Sequence, residues 1–105
     1  MGVSVFVHGT TKLYDVTNIT SGIDVVEVNY SKRVSIVVSD NATSSYNVVG
    51  YVVPSTDVTP IKAVLATVSG GGGYFAYGLS GLHDIGVEVT SGDVSYQVSE
   101  SILIN

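Results

Sequence analysis

Hydrophobic and polar residues alternate with a period of two along most of this chain, in short runs separated by segments rich in glycine, serine, threonine and asparagine. This period places successive side chains on opposite faces of an extended strand, so each run predicts a β-strand with one buried face. We predict eight or nine strands on this basis. The runs cover residues 3–8, 12–17, 23–30, 34–39, 45–53, 61–68, 74–79, 85–90 and 94–99, and the apolar residues 101–105 are expected to pair as well.

Some of these assignments require a choice between alternatives. In residues 23–30 the phase of the alternation is ambiguous, which indicates a β-bulge. Residues 61–68 fit either a strand or a helical turn, and the β-branched residues among them favour a strand. We expect a turn at residues 80–84, and a tight hairpin at residues 91–93, where the sequence is Ser-Gly-Asp.

The composition supports the same fold class independently of the pattern. The chain contains 21 valines but only 4 alanines and 5 leucines among its 105 residues. Valine suits a pleated, half-buried sheet and is less favourable in helices, so we expect an all-β protein. The length fits one domain with one core, covering residues 1–105. We therefore predict a single-domain antiparallel β-sandwich, jelly-roll or immunoglobulin-like, with a small β-barrel as the alternative.

Charge and hydropathy restrict the classes of partner. Only 12% of the residues are charged and the net charge is −5, with 4 cationic residues in the whole chain. Such a chain cannot neutralise a row of phosphates, so we expect no nucleic-acid partner. Although 45% of the residues are hydrophobic, no apolar run approaches the roughly 18 residues of a membrane-spanning helix, and we expect no membrane partner. A small sheet protein this apolar is expected to cover part of its surface with another protein, most simply with copies of itself.

A run of four glycines, residues 70–73, precedes three aromatic residues, Tyr74, Phe75 and Tyr77. A phosphate-binding loop would need a helix and a lysine after the glycines, and both are missing, so we expect no bound nucleotide. We expect an exposed, mobile tip that connects two strands at one end of the sandwich. By alternation, Tyr74 and Phe75 point to opposite faces, one into the core and one outwards. The three aromatic residues are the candidate contacts with a partner.

The sequence offers no convincing catalytic or metal-ligating constellation. His8 and His83 are the two histidines, and the spacings typical of metal ligands or of a serine nucleophile elbow do not occur. We expect His83 and Asp84 to lie on the surface in a turn. Most of the seven tyrosines are expected at the rim of the core with their hydroxyls in water, and the lack of tryptophan weakens a carbohydrate-binding interpretation. We accordingly predict a protein that is not an enzyme, without catalytic, cofactor-binding or metal-binding residues.

The segment LSGLHDIGVEVTSGDVSYQVSES, residues 79–101, resembles a strand-hairpin pattern of small β-sandwich proteins in the virions of tailed bacteriophages. The matching residues are generic for a β-hairpin, and they cover about a fifth of the chain. Proteins of that group decorate or cement capsids, or belong to tails. The resemblance carries over no functional residue, because those proteins have no catalytic motif to match.

The resemblance and the apolar composition together lead to a functional hypothesis. We expect a non-enzymatic structural protein of the virion, most simply a capsid decoration or cement protein that binds the shell and itself. Its partners would be the major capsid protein or another virion protein. The alternative is a carbohydrate- or receptor-binding module of a tail or fibre. Residues 1–12 contain no signal-peptide pattern, so we expect synthesis in the host cytoplasm and a final location in the virion.

Overall fold

The computed structural model describes residues 2–28, 33–39, 43–52, 59–77 and 82–101, and the regular elements in these ranges are all β-strands. In this part of the chain there is no helix that could cross a membrane. The strands are β1 (Gly2–His8), β2 (Thr11–Ile19), β3 (Gly22–Glu27), β4 (Val34–Val38), β5 (Ser45–Val52), β6 (Ile61–Ser69), β7 (Gly73–Tyr77), β8 (Leu82–Ser91) and β9 (Val94–Ser101). The all-β prediction and the strand interpretation of residues 61–68 are confirmed.

The nine strands form two antiparallel sheets. One sheet has the order β1-β2-β9-β4-β7, and the other has the order β3-β8-β5-β6. Strand β2 pairs with β9, β3 with β8, β4 with β7 and β5 with β6, so the chain folds as one long double-stranded ribbon wrapped into two layers. This nested pairing is that of a jelly roll, with β1 added as an extra edge strand. The predicted antiparallel sandwich is confirmed, in its jelly-roll form.

The core lies between the two sheets and is built mainly from valine. In β9 the buried and half-buried positions alternate without exception from Val94 to Glu100, as the sequence pattern predicts for its first residues. In β8 the side chains of Ile85, Val87 and Val89 point inwards, again with the predicted phase. Burying such side chains from both sheets is the main favourable contribution to the stability of the sandwich.

Strand β3 shows why its pattern was ambiguous in the sequence. Its pairing with β8 is regular from Gly22 to Glu27, so the predicted bulge is wrong for this stretch, while residues 29 and 30 lie outside the described residues. Asp24 occupies an inward position there, and its carboxylate accepts a hydrogen bond of 2.7 Å from the hydroxyl of Tyr96. A polar residue at a core position blurs the alternation, which explains the misleading phase. The irregularities lie elsewhere, for instance in β2 between Val16 and Ile19.

The glycine run connects β6, in one sheet, with β7, in the other. The prediction that it joins two strands is confirmed, but the run is half-buried and is not an exposed tip. Gly70 and Gly71 have φ angles of 82° and 86°, which disfavour residues with a Cβ atom. The amide of Gly70 also donates a 2.7 Å hydrogen bond to the carbonyl of Ser44. Two of these glycines therefore hold a backbone conformation that the crossing between the sheets requires.

Candidate interaction sites on the five-stranded sheet

Strand β1 exposes an apolar edge. Val3, Val5, Val7 and Phe6 are each between 44% and 59% exposed. The side chains of the three valines lie on the core-facing side of the sheet, because their register partners on β2 include the buried residues Val16 and Tyr14. The five-stranded sheet has one strand more than the sheet packed against it, and β1 is that overhanging strand. Its valines thus extend the apolar inner face of this sheet past the edge of the four-stranded sheet.

The two edge strands of the four-stranded sheet, β3 and β6, carry features that discourage pairing with a further chain. The edge strand β3 contains Asp24 and Glu27, while β6 contains Lys62 and a register shift in its pairing with β5. Charges and bulges of this kind are common protection for sheet edges. In contrast, β1 has seven residues, no aspartate, glutamate, lysine or arginine, no proline, and an unbroken register with β2. It is also longer than the five-residue β7 at the other edge of the same sheet, so it is the edge best suited to receive another strand.

The opposite edge of the same sheet, β7, contains the aromatic residues that the sequence suggests as partner contacts. Tyr74 is 67% exposed, whereas Phe75 packs against the core. This confirms that one of the pair enters the core and the other points outwards. Tyr74 is thus the accessible candidate contact. The backbone of Tyr77 pairs with Val34, and its side chain lies outside the described residues.

A shallow groove runs across the outer face of the five-stranded sheet. Ser4, Asp15, Gln97 and Val37 lie opposite one another on adjacent strands and line this groove, and Tyr74 follows Val37 in the same row. The side-chain amide of Gln97 donates a 2.8 Å hydrogen bond to the carboxylate of Asp15. The groove therefore presents polar donors and acceptors beside an exposed aromatic ring.

On the other sheet the structure corrects the placement of His83 and Asp84. Strand β8 begins at Leu82, so both residues lie in a strand and not in the predicted turn. They approach Glu27 of β3, with 3.2 Å between Nε2 of His83 and Oε2 of Glu27. No spacing along the chain reveals this group of three potential ligands, because Glu27 approaches His83 only through the pairing of β3 with β8.

Comparison with known proteins supports the fold only. No protein-family model matches the chain, and no curated protein matches it in sequence. Among solved structures, the chain is similar to the SPBc2 prophage-derived protein YomS, with a TM-score of 0.50 and 17% identity over 90% of this chain and 97% of that one. An RmlC-like cupin protein from Desulfovibrio desulfuricans gives a TM-score of 0.49 and 15% identity, over 94% of this chain and 80% of that one. The chain thus shares its fold with a protein of prophage origin.

Proposed function

We propose that this chain is a non-enzymatic structural protein of a bacteriophage or prophage-derived particle, which decorates or cements a capsid by binding the shell and further copies of itself. The observation that carries the proposal is the exposed, apolar and unprotected edge strand β1. The fold that the chain shares with a prophage-derived protein supports the viral context. The resemblance of residues 79–101 to small virion proteins points the same way.

The partner of β1 in this proposal is β1 of a second copy, in an antiparallel pair with two-fold symmetry. If Val5 lies opposite Val5, then Val3 lies opposite Val7, and all six valines share one face of the joined sheet. No like-charged carboxylates or ammonium groups meet in this register, because β1 contains none. The two five-stranded sheets would join into one continuous sheet, and the valines of the two copies would be cross-strand neighbours that shield each other from water.

The expected strength of this pairing is modest. Each half-exposed valine would contribute about 0.7–1.5 kcal/mol if it were fully buried, so about 4–9 kcal/mol is the upper limit for the six valines. Association of two proteins costs about 4–15 kcal/mol in lost translational and rotational freedom. The isolated pair is therefore weak, and simultaneous binding to a shell would strengthen it by raising the effective concentration of neighbouring copies.

Light scattering and sedimentation over a range of concentrations test the self-association. We expect the wild-type protein to dimerise as its concentration rises, and Val5→Lys to remain monomeric, because the introduced charges would face each other in the pair. The matched control is Val64→Lys, which adds the same charge at a 54% exposed valine on β6. A monomer at all concentrations, or equal loss of dimer in both variants, would contradict the proposal.

The groove on the five-stranded sheet favours a second candidate function, a carbohydrate-binding module of a tail or fibre. Exposed Tyr74 can stack on a sugar ring, while the carboxylate of Asp15 and the amide of Gln97 can hydrogen-bond to hydroxyl groups. Screening against immobilised polysaccharides distinguishes the two functions. Binding that is lost in Tyr74→Ala but kept in Val5→Lys would favour the carbohydrate-binding module over the decoration protein.

A further inference from the structure

Glu27, His83 and Asp84 form a compact cluster where β3 pairs with β8. Glu27 and Asp84 lie opposite each other in the register, and candidate ligand atoms of the three residues lie within 4.8 Å of one another. Nδ1 of His83 is 3.1 Å from Oδ1 of Asp84, and its Nε2 is 3.2 Å from Oε2 of Glu27. The imidazole thus stands between two carboxylates, with one ring nitrogen towards each.

The two ring nitrogens of His83 have different partners and can take different roles. A neutral imidazole has a single N–H group, so it donates to one carboxylate and turns a lone pair towards the other. Asp84 is less exposed than Glu27, and its carboxylate is the better fixed acceptor for Nδ1–H. The lone pair of Nε2 then faces the carboxylate of Glu27, and two electron-rich atoms at 3.2 Å repel each other unless a proton or a metal ion lies close to both.

We propose that Nε2 of His83 and the carboxylate of Glu27 bind a divalent ion of the first transition series, such as Zn²⁺, and that Asp84 is a positioning residue that holds Nδ1–H. Zinc bonds of about 2.0–2.1 Å at tetrahedral angles separate two ligand atoms by about 3.3 Å, close to the spacing present here. In many metal sites a carboxylate accepts a hydrogen bond from the second nitrogen of a metal-bound histidine and so fixes its tautomer. An imidazole ligand disfavours Mg²⁺ and Ca²⁺, which prefer oxygen.

A β-bulge aims His83 at this position. Against β5, Asp84 is paired with Tyr51 and Leu82 with the next residue, Val52, so His83 is the additional residue of β8. The bulge lets Leu82 enter the core, although it is an odd number of residues from the inward-facing Ile85. Bulges often redirect a side chain next to a functional site. The remaining coordination positions of the ion are open to water, since Glu27 is more than half exposed.

Calorimetric titration with Zn²⁺ tests the site in the intact protein, independently of whether β1 pairs. We expect His83→Gln and Glu27→Gln to weaken zinc binding about tenfold or more, and Asp84→Ala to weaken it about 10–100-fold through loss of the positioning hydrogen bond. The control is His8→Gln, which removes the exposed histidine of β1 and should leave the affinity unchanged.

Nitrogen NMR of the imidazoles gives a second measurement that needs no variant. Added Zn²⁺ should shift the Nε2 signal of His83, while Nδ1 stays the protonated nitrogen that donates to Asp84. The proposal is overturned if millimolar Zn²⁺ produces neither heat nor shift, if His83→Gln binds as tightly as wild type, or if the shifts occur at His8.

Discussion

Two tyrosines connect the sheets by hydrogen bonds through the core. The hydroxyl of Tyr14, on β2, donates to the carboxylate of Glu100 and lies 3.0 Å from the carbonyl of Glu27 on β3. The hydroxyl of Tyr96, on β9, reaches the carboxylate and the carbonyl of Asp24, also on β3. These tyrosines and Tyr46 are buried, so the expectation of hydroxyls in water is wrong for all three. The hydrogen-bond partners of Tyr14 and Tyr96 come from distant parts of the chain and leave no local pattern in the sequence.

Tyr96→Phe should lower the free energy of unfolding by about 1–3 kcal/mol, because the carboxylate of Asp24 loses its buried donor. Denaturant unfolding of the purified protein measures this change. Tyr74→Phe is the matched control, since its ring is 67% exposed, and it should change the stability by less than about 0.5 kcal/mol. Equal effects of the two substitutions would show that the contact of Tyr96 with Asp24 contributes nothing.

The same contacts make stability depend on alkaline pH. Burial, and then the hydrogen bond to Glu100, raise the pKa of Tyr14 far above its usual value, and burial with Asp24 does the same for Tyr96. A raised folded-state pKa means that the contribution is complete below the unfolded pKa of about 10 and is lost as the pH rises above it. We expect unfolding midpoints to fall above about pH 10, and to fall less steeply in Tyr14→Phe. An identical slope in that variant would contradict this account.

The inward-facing side of a strand can be predicted from the sequence where one of its faces is purely apolar. Ile85, Val87 and Val89 have the predicted phase, and so have the first residues of β9. The start of β8 could not be predicted in the same way, because the bulge at His83 breaks the alternation and polar residues there imitate a turn. The candidate sites are harder still. The alternation predicts that one of Tyr74 and Phe75 faces the core, but it does not tell which one. The approach of Glu27 to His83 depends on strand pairing.

The connection from β6 to β7 depends on left-handed backbone at Gly71. Gly71→Ala should lower the free energy of unfolding by about 1–2 kcal/mol, because a Cβ atom is strained at this φ angle. Gly71→Asn should cost less, since asparagine tolerates the left-handed region better than alanine does. Thermal unfolding of both variants measures the difference. If alanine and asparagine are equally harmless, the glycine run is the unconstrained connection that its sequence suggests.

Strands β2 to β9 form an eight-stranded jelly roll, and β1 is a ninth strand at the edge of its larger sheet. Eight strands pair in nested fashion, and β1 extends the larger sheet past the edge of the smaller one. The alternation of β1 predicts a buried valine face, which is wrong for the single chain, because the pattern of a strand does not reveal whether the opposite sheet reaches it. The valines become buried only if another chain covers them. This is the physical basis of the proposed self-association.

A disulfide cross-link tests the pairing of β1 with β1 most directly. The chain contains no cysteine, so a single introduced cysteine can form a disulfide only with another copy. In the symmetric register Val5 lies opposite Val5, with about 4.5–5.5 Å between the Cα atoms, a separation that a disulfide spans. We predict that mild oxidation of Val5→Cys gives a covalent dimer, whereas Val64→Cys, equally exposed on β6, stays monomeric. No cross-link in Val5→Cys, or the same yield in both variants, would contradict the pairing.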